Sequence, residues 1–295
     1  MRTYATVLLF CFLLHVKAYS QEIKNPFFGL YSIIGGDSVY NTFEKQVKLV
    51  KESGYDGIEI SGPEDFIGMK SALDKLDFHG AYFYFMVDVD QPRIDPKLKN
   101  YISALKGTNT ILAPYIQSSS NRYKTASAEA DAKVVKLLRQ LSGWARKEDL
   151  QIAIYPHFGY YVQRIGHVLK LVKQINRKNT GMSFNLCHWL ATTPAEERGG
   201  LKSDLMEILP YLRMVTICGA NDLVSDKKVV WDDYILPLGM GSFDTYGLVE
   251  YLIKDLHFKG PFGVQCYGLK DDKAWLVKHS METWNNYKMR MENGQ

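Results

Sequence analysis

A single closed (β/α)8 barrel, an α/β fold over residues 21–295 behind an N-terminal signal peptide at 1–20, is what the sequence predicts. Three observations lead to it. Short apolar runs alternate with segments of helical periodicity eight times, with no linker or low-complexity stretch between them. Each run is continuously apolar, as expected for parallel strands covered by helices. The first loop, Ile34-Gly35-Gly36-Asp37-Ser38, lacks the glycine spacing that an open dinucleotide-binding sheet carries after its first strand, so eight units at this length fit a closed barrel better.

Residues 1–20 open with Arg2, continue as an apolar run over 5–16 and end in Ala18-Tyr19-Ser20. A charged start, a short apolar stretch and a small-x-small site predict a cleaved secretory signal, and the run is too short to span a bilayer. The expected product is an exported protein, periplasmic or secreted, that starts near Gln21 and has no membrane anchor after cleavage.

Beyond it the elements follow in order. The first strand is expected at 27–33, and its helix starts after Thr42 and stops at Gly54. Strand two falls at 56–60 with a helix at 66–76. The aromatic run 81–87 is strand three, followed by a helix at 96–105. Strand four, 109–116, leads to the longest helix, 126–147, where Val134, Leu137, Leu138, Leu141 and Ala145 recur at helical spacing. Strand five (151–157) has its helix at 162–175. Strand six (182–187) is followed by a helix at 202–209 that Pro210 helps to end. Strand seven spans 213–218. After the loop Leu236-Pro237-Leu238-Gly239-Met240-Gly241, Ser242 or Asp244 caps a helix reaching Leu256, and strand eight (263–267) precedes the closing helix 273–289.

Composition narrows the function. Without residues 1–20 the formal net charge is +2, with Lys and Arg scattered among acids, so nucleic acid is not an expected partner. Three cysteines remain, Cys187, Cys218 and Cys266, each in a strand-like run; an odd, widely spread set reads as buried thiols rather than a disulfide framework. There is no nucleophile elbow with a Ser-His-Asp order, no HExxH and no CxxC. Gly239-x-Gly241 ahead of a helix could bind an anion weakly.

In such a barrel, function is read at the C-terminal strand ends. Strand two offers Glu59; Asp88 and Asp90 follow strand three; strand four ends near Tyr115 and Gln117. Strand five brings Tyr155 and His157, strand six Asn185 and His188, and strand seven is followed by Asn221 and Asp222. Gln265 and Tyr267 lie at strand eight. Alternation aims Ser183, Asn185 and Cys187 inward and Phe184 and Leu186 at the helices, and likewise turns Gln265 and Tyr267 inward. Two imidazoles on adjacent strand ends can bind a divalent metal or move a proton. His79, His167, His257 and His279 fall on helices or connections and read as surface or packing residues.

Four stretches, SGYDGIEIS, IAIYPHFG, GMSFNLCHWL and ILPLGMGSFDTYGLVEYLIKDLHFKGPFGVQ, together resemble the xylose isomerase-like barrel superfamily of sugar isomerases, sugar epimerases and endonuclease IV-type enzymes. The resemblance implies a divalent metal held by a Glu on strand five, an Asp or Glu on strand six, a His on strand seven and a Glu on strand eight. Matched onto this chain, those positions fall on Tyr155, Asn185, near Thr216 and on Gln265. The motifs' neighbouring histidines remain as His157 and His188, and Met240 stands where the late loop carries Glu. Neutral Asn and Gln and a weakly acidic phenol forfeit most of the attraction for Mn²⁺ or Mg²⁺.

Two functions are therefore expected. The first is an exported sugar isomerase or epimerase whose proton transfer runs through His157 or His188 with Glu59 or Asp222 assisting, any softer metal being held by the two imidazoles. The second is a metal-free saccharide-binding protein. In both, Tyr155, Asn185, Trp189, Asp222, Gln265 and Tyr267 contact a small carbohydrate or polyol. A DNA-repair nuclease is set aside on the signal peptide, the near-neutral charge and the missing ligands.

Overall fold

A computed structural model describes residues 23–294; the expected signal peptide lies outside them. Eight parallel strands close into a barrel in sequence order: β1 Phe27–Gly29, β2 Gly57–Ser61, β3 Gly80–Asp88, β4 Ile111–Gln117, β5 Ile152–Ile154, β6 Thr180–Asn185, β7 Leu212–Ile217 and β8 Phe262–Val264. Closure is made by β1 against β8, with Phe28 opposite Gly263. Outside lie α1 Phe43–Glu52, α2 Gly62–Lys75, α3 Lys97–Ala104, α4 Ala128–Lys147 and α5 Ile165–Ile175. They continue with α6 Leu186–Thr192, α7 Leu201–Ile208, α8 Trp231–Tyr234, α9 Thr245–Glu250 and α10 Lys273–Asn293. Among the described residues no helix is long and apolar enough to cross a membrane.

The helix starts follow local chemistry. Thr42 accepts from Lys45 N, Ser127 from Ala130 N and Asp244 from Gly247 N, each side-chain oxygen satisfying a donor that the first turn leaves open. Of the two caps expected before the late helix, Asp244 is the one used. Its carboxylate fills the N-terminus of α9, which removes the anion site that the Gly239-x-Gly241 loop suggested.

Strands one, five, six and eight end two or more residues earlier than expected. After Gly29 the chain turns into a 3₁₀ turn, Tyr31–Ile33, because the Tyr31 N–H is taken by the Glu59 carboxylate at 2.7 Å and not by a neighbouring strand. β5 stops at Ile154; Pro156 offers no N–H, and His157 N turns back to Val162 O. β6 stops at Asn185 and passes straight into α6. Cys187, expected to point inward from a strand, sits instead in that helix and packs in the outer core.

Two apolar layers hold the barrel. Outside the strands, Ile58, Ile60, Phe83, Phe85, Phe184, Val215 and Val264 pack beneath the helices. Inside, Phe28, Leu30, Tyr82, Tyr155 and Met214 pack with Ala81, Ala113 and Ala153. Large and small residues share that interior because space is limited: a Cβ on Gly263 would lie 2.4 Å from the Phe28 ring. Cys187, Cys218 and Cys266 are buried and free.

Candidate functional site

The filled interior stops below the C-terminal mouth, where a cavity of about 420 Å³ opens, a size within the ~300–1,000 Å³ of small-ligand sites. Its walls come from five strand ends and two short helices. β1 and the turn after it contribute Leu30, Tyr31 and Ser32; β2 gives Glu59 and Ser61, and β3 gives Tyr82 and Tyr84. The β5 end supplies Tyr155, His157 and Tyr160, α6 supplies His188, α8 supplies Trp231, and the β8 end supplies Gln265 and Tyr267.

His157 and His188 do meet, with ring centroids 4.1 Å apart. Both are oriented by the main chain of one residue. His157 Nδ1 lies 2.8 Å from Phe158 O, and Phe158 N donates to His188 Nδ1 at 3.3 Å. A carbonyl only accepts and an amide N–H only donates, which fixes complementary tautomers. His157 carries its proton on Nδ1 and has a bare Nε2; His188 carries its proton on Nε2. Burial lowers the His157 pKa to about 4, against a weaker opposing effect of the Phe158 carbonyl. Burial, with repulsion from His157, holds His188 well below its ordinary value. Both rings are therefore neutral near pH 7. The His157 ring stacks on Tyr160 at 4.0 Å, and His188 meets Tyr155 and Trp231 edge-on at 5.7 and 5.2 Å.

Glu59 is buried at 5% exposure and faces the cavity. Burial raises its pKa, while hydrogen bonds from Tyr31 N, Tyr82 and Ser61 pull the other way. Tyr155 is almost fully buried, and burial pushes its phenol well above the usual range.

Several expected contacts are made elsewhere. Asn185 is 1% exposed and spent on the barrel itself: Nδ2 donates to Pro156 O at 2.9 Å and Oδ1 accepts from Thr216 Oγ1 at 3.0 Å. Trp189, next to His188 but turned by the helix, packs into the outer core near Phe184. Asp222 lies outside the pocket, drawn off by Arg198 at 2.9 Å. Tyr267 stands at the rim, 58% exposed, because β8 ends before it and not at 267. Gln265 does line the cavity, its Oε1 accepting from Ser32 Oγ at 2.5 Å and Tyr267 N at 3.1 Å.

The metal implied by the family resemblance does not fit these residues. Asn185 and Thr216 satisfy each other, and the Gln265 oxygen is already engaged. His188 Nε2 holds a proton for as long as Nδ1 accepts from Phe158. Among the described residues no group of three or more His, Cys, Asp or Glu is placed to hold an ion.

Sequence reasoning missed Tyr31, Ser32, Tyr82, Tyr84, Tyr160 and Trp231. For the β3 pair a signal was present: in AYFYFMVD the tyrosines occupy one face and Phe83 and Phe85 the other. Trp231 lies in a segment with no periodicity to place it.

A family model described as a xylose isomerase-like TIM barrel matches residues 47–286. Among solved structures, the chain is similar to an L-ribulose 3-epimerase at 11% identity and TM-score 0.69, covering 92% of this chain and 96% of that one. A D-allulose 3-epimerase from Methylomonas sp. in complex with D-allulose matches at 17% identity and TM-score 0.67, over 89% and 97%. A 3-keto-D-glucoside 4-epimerase from E. coli matches at 14% identity and TM-score 0.65, over 89% and 99%. At these identities the likeness establishes the fold. Among curated proteins no match is found.

Proposed function

We propose, from the premise that the chain belongs to the xylose isomerase-like TIM barrel family, that its mouth binds a small neutral carbohydrate or polyol without a divalent cation. The observation that carries this is the Asn185–Thr216 hydrogen bond, which commits two expected metal-site positions to each other. What remains toward the ligand is suited to hydroxyls and to the apolar faces of a sugar ring. His157 Nε2 accepts, His188 Nε2–H donates, and the Gln265 amide is free to donate, while Tyr160 and Trp231 supply ring surfaces. Two neighbours of this fold are complexes with D-allulose and D-tagatose, which supports the ligand class.

A second reading, a metal-free sugar isomerase or epimerase, is favoured by Glu59. An imidazole whose pKa lies near 4 is a weak base at neutral pH, whereas a buried carboxylate with a raised pKa is a stronger one than usual. In this reading Glu59 removes a proton from carbon, and His188 Nε2–H hydrogen-bonds the oxygen on which charge develops.

One experiment separates the two. The protein is titrated calorimetrically with neutral sugars and polyols in EDTA, and each ligand that binds is then incubated in D2O and followed by proton NMR. Binding without deuterium entering any carbon position supports the binding protein; incorporation that is lost in Glu59→Gln supports the enzyme. Affinity that requires added Mn²⁺ or Zn²⁺ would overturn both.

Export belongs to the same proposal. Residues 1–20 have the make-up of a secretory signal, and the test is the N-terminus of the protein recovered from periplasm or medium. A chain recovered in the cytoplasm with Met1 or Arg2 still in place would refute it.

A further inference from the structure

The mouth pocket does not end at Glu59. Ser61 and Tyr84 line both it and a second cavity of about 690 Å³ that opens beside β3 and the loop leading to α3. At this shared wall the chain turns from β2 into α2, which starts at Gly62 directly after Ser61; Gly62 has φ +78°, a turn that a side chain would strain. A row of rings runs from one cavity to the other. His157 stacks on Tyr160 at 4.0 Å, Tyr160 meets Tyr115 at 5.2 Å, and Tyr115 stacks on Tyr84 at 4.6 Å.

The second cavity differs in chemistry from the first. Its floor presents Tyr115 and the 41% exposed Met86, an apolar side chain left open on a barrel strand. Its rim mixes the carboxylates of Glu64, Asp88 and Asp95 with Arg93 and Lys97. Neither sign dominates, so a phosphate or carboxylate tail finds no concentrated partner, whereas hydroxyl groups find acceptors and donors together. The wall is held in shape: Asp88 accepts from Ser119 N and Oγ, tying the end of β3 to the loop after β4.

We infer that this cavity is a subsite for a second sugar unit, so that the ligand is a disaccharide or glycoside and not a free monosaccharide. The inference rests on the carbohydrate reading above. One ring occupies the pocket over the imidazoles, the glycosidic link crosses at Ser61 and Tyr84, and the second ring lies against Met86 and the edge of Tyr115.

The test is calorimetric titration, in EDTA, of the protein with D-glucose, D-galactose and D-xylose and with cellobiose, maltose, lactose and xylobiose. It is repeated with the double variant Gln91→Ala, Arg93→Ala, two exposed residues lining the second cavity. At least one disaccharide is expected to bind ~10-fold tighter than its component monosaccharides, about 1.4 kcal/mol, and the double variant is expected to reduce that ratio at least threefold. Monosaccharides that bind as well as every disaccharide would overturn the second subsite and leave the carbohydrate reading standing. A disaccharide advantage untouched by the double variant would overturn it too, since the second ring would then lie elsewhere. If no saccharide of either size binds, the carbohydrate reading falls and this inference with it.

Discussion

Thr216 Oγ1 donates to Asn185 Oδ1 across β6 and β7 at 3.0 Å, and the Asn185 amide donates onward to Pro156 O at 2.9 Å. One asparagine thus ties β6 to β7 and to the β5 end, at a depth where both its groups are hidden from water.

Restoring a carboxylate there should therefore harm the fold. Asn185→Asp replaces a donor by an acceptor facing the Pro156 carbonyl and places a charge in a buried site, a cost of about 1–3 kcal/mol or more. The melting temperature is expected to fall by roughly 3–10 °C, with no recovery on adding Mn²⁺. A rise above the unsubstituted protein in Mn²⁺ would show that the remaining residues can still complete a metal site.

Stability should depend on pH through the imidazole pair. The His157 pKa is lowered to about 4 in the fold, so between there and its ordinary value near 6.5 the unfolded chain binds more protons than the folded one. Stability therefore rises with pH across that window and is lost on acidification, by up to about 3 kcal/mol for His157. The raised Glu59 acts in the opposite sense, favouring the fold at low pH and losing that contribution as pH rises through its folded value. Urea unfolding at pH 4.5 and 6.5 checks the balance, and His157→Gln should flatten the slope. An unchanged slope in that variant would refute the assignment.

Packing inside the barrel sets a third expectation. Gly263→Ala brings a methyl to within 2.4 Å of the Phe28 ring, and overpacking of this kind costs roughly 1–3 kcal/mol. Denaturant midpoints measure it. Pairing the change with Phe28→Leu should recover part of the loss, whereas additive losses would mean that the ring is not the obstacle.

Tyr160→Ala should weaken sugar binding and leave the fold intact. It removes the ring stacked on His157 at 4.0 Å from a half-buried position at the pocket wall, and an affinity loss of ~10-fold is expected for one aromatic face. Calorimetry gives the affinity and circular dichroism the fold. Unaltered affinity would move the ligand away from this wall.

Eight strand-helix units could be read from the sequence because each strand is a continuous apolar run and each long helix shows its period. The junctions were harder to read. GMSFNLCHWL is apolar almost throughout, so the change from strand to helix at Leu186 leaves no mark in composition, and only in the helix do His188 and Trp189 face the mouth and the core respectively. His157, His188, Glu59, Tyr155 and Gln265 could be placed at one mouth because strand ends converge there. Asp222 could not be excluded in advance, since its partner Arg198 lies 24 positions away in another loop. Tyr82 and Tyr84 were visible in the alternation of β3, whereas nothing local distinguishes Trp231.

Trp231 gives the pocket its own optical reporter. Its indole stands edge-on to His188 at 5.2 Å on the cavity wall, while Trp189 and Trp284 are buried in the packing layer outside the strands. Trp275 also stacks on an imidazole, His279, at 4.6 Å, but outside the mouth lining, so among the described residues Trp231 is the indole whose emission responds both to a protonated His188 and to the loss of water when a ligand fills the mouth. Subtracting the spectrum of Trp231→Phe would therefore isolate occupancy and the charge of His188 in an unlabelled protein.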